Sequence, residues 1–134
     1  MAGYSATPLV QKLGIKPDFK MKVLNEPKEY WDWVNPLPEG VSTSAKANFN
    51  FVHLFLTSRK KLESEVLIHL EKLQPDGMIW VSWPKRASKV ETDLDENIIR
   101  DFALKNKLVD VKVCAVSEIW SGLKLVIPVA LRKK

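Results

Sequence analysis

The amino-acid sequence predicts a three-layer α/β domain built on a mostly parallel sheet and closed by a C-terminal antiparallel hairpin. Three observations carry this expectation. From Phe51 to Trp83 the chain reads strand, helix, strand: an apolar run from Phe51 to Leu56 broken only by His53, a one-sided helix, and a second apolar run from Met78 to Trp83. Runs of this kind suit strands covered on both faces, as central parallel strands are. Further along, only Ser117 to Gly122 separates the last two strand-like segments, Leu108 to Val116 and Leu123 to Leu131. That interval is too short for a helical crossover, so these two strands must pair antiparallel. Finally, 134 residues with a 46% apolar fraction supply one core of ordinary size, so 1–134 is expected to be a single domain.

Taken in order, the first seventeen residues form an N-terminal arm with a small apolar cluster, Leu9, Val10, Leu13 and Ile15. Thr7 as a cap and Pro8 at the first helical position predict a short helix to Leu13, stopped by Gly14 and packed on the sheet. Met21 to Leu24 reads as a strand. Asn25, Glu26 and Pro27 then open a short helix from Lys28 to about Val34. Two prolines and a glycine between Asn35 and Gly40 turn the chain before a weak second strand at Val41 to Ser44. Ser58 caps the next helix, whose stripe is Leu62, Val66, Leu70 and Leu73, and Gln74, Pro75, Asp76 and Gly77 stop it. Asp93 with Glu96 gives a capping pattern for a helix running to about Asn106, with Leu94, Ile98 and Phe102 on its inner side. Pro128 belongs near an unpaired edge or a bulge of the last strand.

Composition excludes several classes. No apolar run is long enough to cross a bilayer, and MAGYSATPLVQK has neither a basic n-region nor a long apolar segment, so a cytoplasmic protein without membrane partners is expected. Cys114 is the only cysteine, which rules out an intramolecular disulfide and a cysteine-based zinc site. The net charge of +5 is modest and partly local, at Arg59, Lys60 and Lys61 and at Arg132, Lys133 and Lys134. With no basic stripe interleaved with aromatics, a nucleic-acid partner is not expected.

The phrase Leu73, Gln74, Pro75, Asp76, Gly77, then MIWVSWP, together with the closing hairpin, resembles the later part of a class I methyltransferase domain, a Rossmann-like fold. The resemblance implies a shortened version, with about one helix-strand-helix unit missing between Ser44 and Phe51. In that family a glycine-rich turn after the first strand admits the cofactor, and an acidic residue after the second takes the ribose hydroxyls. Here Asn25, Glu26, Pro27, Lys28 and Glu29 contain no glycine, and Thr43, Ser44 and Ala45 stand at the second place. S-adenosylmethionine is therefore not an expected cofactor, because a scaffold without its site residues does not carry the function. GYSATPLVQKLGIK, VHLFLTSR, DGMIWVSWPK, DVKVCAV and WSGLKLVI are also similar to a family of small bacterial proteins of unknown function. That resemblance covers nearly the whole chain and implies a bacterial origin but no activity.

In open parallel sheets ligands bind outside the carboxyl ends of the strands, near the point where strand order reverses. The residues expected there are Asn25 and Glu26, Thr57 and Ser58, and Trp83, Lys85, Arg86 and Lys89. The three basic residues, with the amides of the helix after Ser58, could hold a phosphate or carboxylate; an exposed basic loop is the commoner occurrence. His53 and His69 lack a second ligand or nucleophile at suitable spacing, so His53 reads as a hydrogen-bonded core residue. Asp110 and Glu118 as an acid-base pair are the weaker reading beside ordinary turn carboxylates. Trp31, Trp33, Trp83 and Trp120 are expected to converge on one end of the sheet, as a stacking surface or as a plug in the cofactor space. No catalytic residue and no metal ligand is assigned. The leading expectation is a non-catalytic binding or regulatory module for a small anionic ligand or a protein partner. The alternative is a reduced S-adenosylmethionine-dependent methyltransferase or other small transferase.

Overall fold

Apolar, β-rich segments that alternate with helices settle into one five-stranded sheet in the computed structural model, which describes residues 7–132. In chain order the elements are α1 (Leu9–Leu13), β1 (Met21–Leu24), α2 (Tyr30–Trp33), β2 (Phe49–Phe55), α3 (Arg59–Leu70), β3 (Leu73–Pro84), α4 (Glu96–Lys105), β4 (Val109–Ala115) and β5 (Trp120–Val126). The strands lie in the order β1-β2-β3-β5-β4. Pairing is parallel from β1 through β3, and antiparallel where β5 inserts between β3 and the edge strand β4. The sheet is thus mostly parallel and ends in the expected hairpin. Most of the GYSATP start, residues 1–6, and Lys133 and Lys134 lie outside the described residues.

Alternation along the strands divides the interior into two layers. Val52, Leu54, Ile79, Val81, Leu123 and Leu125 point to α3 and α4, where they meet Leu62, Val66, Ile99 and Ala103. Phe51, Phe55, Met78, Trp80 and Cys114 point to α1 and α2, where they meet Leu13, Ile15, Tyr30 and Val34. The N-terminal arm is pinned by Trp80, whose indole Nε1 donates to the carbonyl of Leu13 at 2.9 Å. Gly14, at φ +81°, ends α1 in the left-handed region that glycine adopts without steric cost.

Several boundaries differ from expectation, each for a local reason. Pro8, not Thr7, occupies the cap position of α1, with no side-chain cap bond. The chain makes a turn at Lys28 and Glu29, so α2 spans only Tyr30–Trp33. The weak strand at Val41 to Ser44 shrinks to one bridge, Lys20 with Ser42, on the outer edge of β1. Leu73 belongs to β3 rather than α3: it pairs with Phe49, while Phe51 pairs with Met78, so Gln74 to Gly77 bulge out of the ladder. Leu73 folds back over that bulge, and a Cβ on Gly77 would lie 2.8 Å from its side chain, which explains the glycine. In α4 the fully buried positions are Ile99 and Ala103, with Ile98 and Phe102 on the flank. The last strand is Trp120–Val126, and Pro128 lies beyond it as the cap of a 3-10 turn, Val129–Leu131.

Candidate functional site

The carboxyl ends of β1, β2 and β3 lie side by side and collect the residues singled out from the sequence. After β1 the chain crosses on the α2 side to the outer edge of that strand, where Ser42 bridges Lys20, and then returns inward to β2. The following crossover, through α3, lies on the opposite face. Strand order therefore reverses beside β1, the place where doubly wound sheets open a ligand crevice. Here the mouth of that crevice is tied across. Asn25 sits at φ +58°, a left-handed position that asparagine tolerates better than most residues, so the exit turn is made without glycine. Its carboxamide donates to the carbonyl of Phe55 at 3.4 Å, extending the β1–β2 pairing beyond Leu24. Glu26 accepts from the indole of Trp31 at 3.3 Å.

A cleft of about 490 Å³ opens instead at the end of β3. Trp83 and Leu94 contribute to its lining, with Arg86 and Lys89 from a 3-10 turn, Arg86–Ser88, and its exit. Glu91, Asp93 and Asp95 add negative charge to the same cleft. The returning segment straps the β2–α3 junction: Thr92 Oγ1 donates to the carbonyl of Thr57 at 2.6 Å, and the Asp93 amide donates to the same oxygen at 3.2 Å. Asp93 also accepts from the Arg59 amide at 2.8 Å, while Ser58 accepts from Lys61 at 3.2 Å. Two amides at the start of α3 are thus already bonded within the chain. Asp93 caps α3 and not α4, whose cap is Asp95 accepting from Ile98. Lys85 is half-buried, its amide donating to the carbonyl of Ile119 at 2.7 Å, while Arg86 and Lys89 are exposed.

Beneath these strand ends lies a chain of buried polar groups. The Tyr30 hydroxyl is 3.0 Å from His53 Nδ1, and His53 Nε2 is 2.8 Å from Ser82 Oγ. All three residues are fully buried. Burial pushes the His53 pKa down to about 3 and, with Glu26 adding to the effect, raises that of Tyr30. His53 is therefore a neutral imidazole that donates from one nitrogen and accepts at the other, and the two hydroxyls adopt the complementary roles. Serine, histidine and a third group are in line, but none reaches solvent, so the chain of bonds serves the core. Its partners escaped the sequence reading. The signal was present: His53 and Ser82 are lone polar residues inside adjacent apolar runs, and buried polar groups must satisfy one another.

Other expected groupings are not brought together. The sheet separates the tryptophans: Trp83 packs in the α3/α4 layer, whereas Trp33 and Trp120 lie in the α1/α2 layer. Trp120 meets Phe55 edge-on at 5.1 Å, and Trp31 stands exposed beside Glu26. Asp110 pairs with Arg100 at 3.0 Å near the start of β4, far along that strand from Glu118 in the hairpin turn. His69 bonds the carbonyl of Glu65 at 2.7 Å through Nδ1. Among the described residues, no group of three or more His, Cys, Asp or Glu is placed to hold a metal, and no helix is long and apolar enough to cross a membrane.

No protein-family model matches the chain, and no curated protein matches it in sequence. Solved structures do share its fold. The DhpI-SAH complex matches with a TM-score of 0.62 at 9% identity, over 88% of this chain and 81% of that one. A SAM dependent methyltransferase from Aquifex aeolicus gives 0.54 at 10% identity, over 89% and 87%. The ribosomal protein L11 methylase from Lactobacillus delbrueckii subsp. bulgaricus gives 0.53 at 10% identity, over 88% and 74%. Likeness at such identities is a likeness of fold, and it identifies the scaffold as Rossmann-like and methyltransferase-like.

Proposed function

We propose that this chain is a non-catalytic binding module, which takes a small anionic ligand or a partner's anionic group at the carboxyl ends of its strands. The binding place is the cleft at the end of β3, with Arg86 and Lys89 as the anion contacts and Trp83 as an apolar wall; of the lining carboxylates Asp93 and Asp95 are engaged as helix caps, and Thr57, Ser58 and Lys85 lie next to the lining without forming part of it. The observation that carries this reading is the tie across the β1–β2 crevice, Asn25 to Phe55, backed by Glu26 to Trp31. A methionine-and-ribose ligand entering there would have to break that tie and pass a turn built with Asn25 where a glycine would leave room. The resemblance of GYSATPLVQKLGIK and WSGLKLVI to small bacterial proteins supports a bacterial, cytoplasmic setting.

Isothermal titration tests the proposal. S-adenosylmethionine and S-adenosylhomocysteine should give no heat of binding, while inorganic phosphate should bind and lose about tenfold in affinity in the Arg86→Ala, Lys89→Ala double variant. Micromolar binding of either adenosyl compound would overturn the proposal in favour of a reduced methyltransferase.

A further inference from the structure

On the α1 side of the β4–β5 hairpin four lysines gather, Lys112 and Lys124 from the strands and Lys12 and Lys16 from the N-terminal arm. Lys112 on β4 and Lys124 on β5 are direct cross-strand partners. Lys112 Nζ donates to the carbonyl of Lys12 at 3.0 Å, and Lys12 Nζ lies 3.5 Å from the carbonyl of Ala115. Lys16 follows α1 and acts on Lys124, whose pKa is lowered by burial first and then by Lys112 and Lys16. Among the described residues none of the four forms an ion pair.

Like charges directly opposite each other in a sheet destabilise it. A lysine on an edge strand has a bland purpose, to discourage pairing with another chain, and Lys112 on β4 fits that. Lys124 does not, because β5 is an inner strand and Lys124 lies in register between Lys112 and Trp80. A half-buried lysine facing a second lysine, with two more beside it, is the arrangement that a multivalent anion would relieve. Lysines act on phosphate as point charges, and charges spread over a helix end and two strands suit a chain of phosphates better than one carboxylate.

We propose that Lys12, Lys16, Lys112 and Lys124 form a second anion site that takes an oligophosphate group. This site shares no lysine or arginine with the β3 cleft, so either can fail alone. The test is titration of the full chain with inorganic tripolyphosphate, at low and at moderate salt. Saturable, salt-sensitive binding is expected, and the Lys16→Ala, Lys112→Ala double variant should lose about tenfold per lysine. Both side chains are exposed, so the fold should persist, and Lys60→Ala on α3 should leave affinity unchanged. Lys124→Met should raise the thermal midpoint without ligand and abolish the further rise that tripolyphosphate gives the parent protein. A nucleoside triphosphate binding as tripolyphosphate does would support the site, since recognition would then rest on the phosphates. Unchanged tripolyphosphate affinity in the double variant would overturn it. So would loss of binding in Arg86→Ala, Lys89→Ala instead, or a preference for single-stranded RNA at equal phosphate concentration.

Discussion

The two faces of this sheet are built on different chemistry. Toward α3 and α4 the interior is mainly aliphatic, with Leu62, Val66, Ile79, Val81, Ile99 and Leu125 in one cluster and Phe49 and Trp83 as its buried aromatics. Toward α1 and α2 it is aromatic and carries the bonded series Tyr30, His53 and Ser82, with His53 stacked on Phe55 at a ring distance of 4.4 Å. An aliphatic layer tolerates small shifts, since dispersion and burial are not directional. The polar series does not. It joins α2, β2 and β3 through atoms that must meet, and a one-residue slip of either strand would turn His53 or Ser82 to the other face and leave buried groups unpaired. The lesson is a division of labour: one face supplies burial, and the other also specifies register.

Removing His53 should break that division most visibly. His53→Ala opens a cavity and also leaves the Tyr30 and Ser82 hydroxyls without partners, so a loss of about 4 kcal/mol is expected. Leu62→Ala on the aliphatic face should cost about 3 kcal/mol from the cavity alone. Urea unfolding of both variants measures the two, and a smaller loss for His53→Ala would show that the network adds nothing to packing. A sharper version replaces the whole series, His53→Leu with Tyr30→Phe and Ser82→Ala. That variant should recover much of the loss, because no orphaned polar atom remains.

Acid should separate the faces next. The His53 pKa is depressed to about 3 in the folded protein, against an ordinary unfolded value near 6.5. The unfolded chain therefore takes up the proton first. The contribution of neutral His53 is complete above about pH 6.5 and is lost as pH falls from there toward 3. Each pH unit in that window removes about 1.4 kcal/mol, so the protein should lose about 3 kcal/mol between pH 6.5 and 4 that the His53→Leu triple variant keeps. Parallel stability curves for the two proteins would remove His53 as the cause.

How far the sequence foretold this arrangement depends on which physics governs each residue. The aliphatic face was legible because helical spacing marks it: Leu62 and Val66 stand where the periodicity puts them, and the crossover rule required the hairpin. Leu73 was misplaced since it continues the helical spacing after α3 has ended at Leu70; a bulge held by Gly77, not periodicity, decides its position. Of the candidate site only the placement was legible, as Asn25, Thr57 and Lys85 all follow strand ends, and not the contacts. The bond from Asn25 to Phe55, the pairing of Lys112 with Lys124 and the sorting of Trp83 from Trp120 depend on register and face between distant segments. Local pattern carries no information on these. Asp93 shows the same limit from the other side, since its spacing to Glu96 suits α4 while its carboxylate reaches 34 residues back along the chain to α3.

That long-range cap gives the smallest and most local contrast. Asp95→Ala removes an ordinary cap and should cost about 1 kcal/mol, with faster hydrogen exchange confined to the start of α4, at the amide of Ile98. Asp93→Ala should cost a similar amount, about 1 kcal/mol, but with a different footprint. Exchange should quicken at Arg59, at the far end of the bond, and also around Thr92 and Leu94, because the strap then holds to the β2–α3 junction only through Thr92 Oγ1 and the Asp93 amide. Each variant also takes a carboxylate from the cleft lining, which favours phosphate in both; because a loosened strap widens the range of shapes the β3 cleft adopts, phosphate affinity should end lower in Asp93→Ala than in Asp95→Ala. Equal exchange footprints in the two variants would mean that Asp93 caps α3 without holding the wall of the cleft.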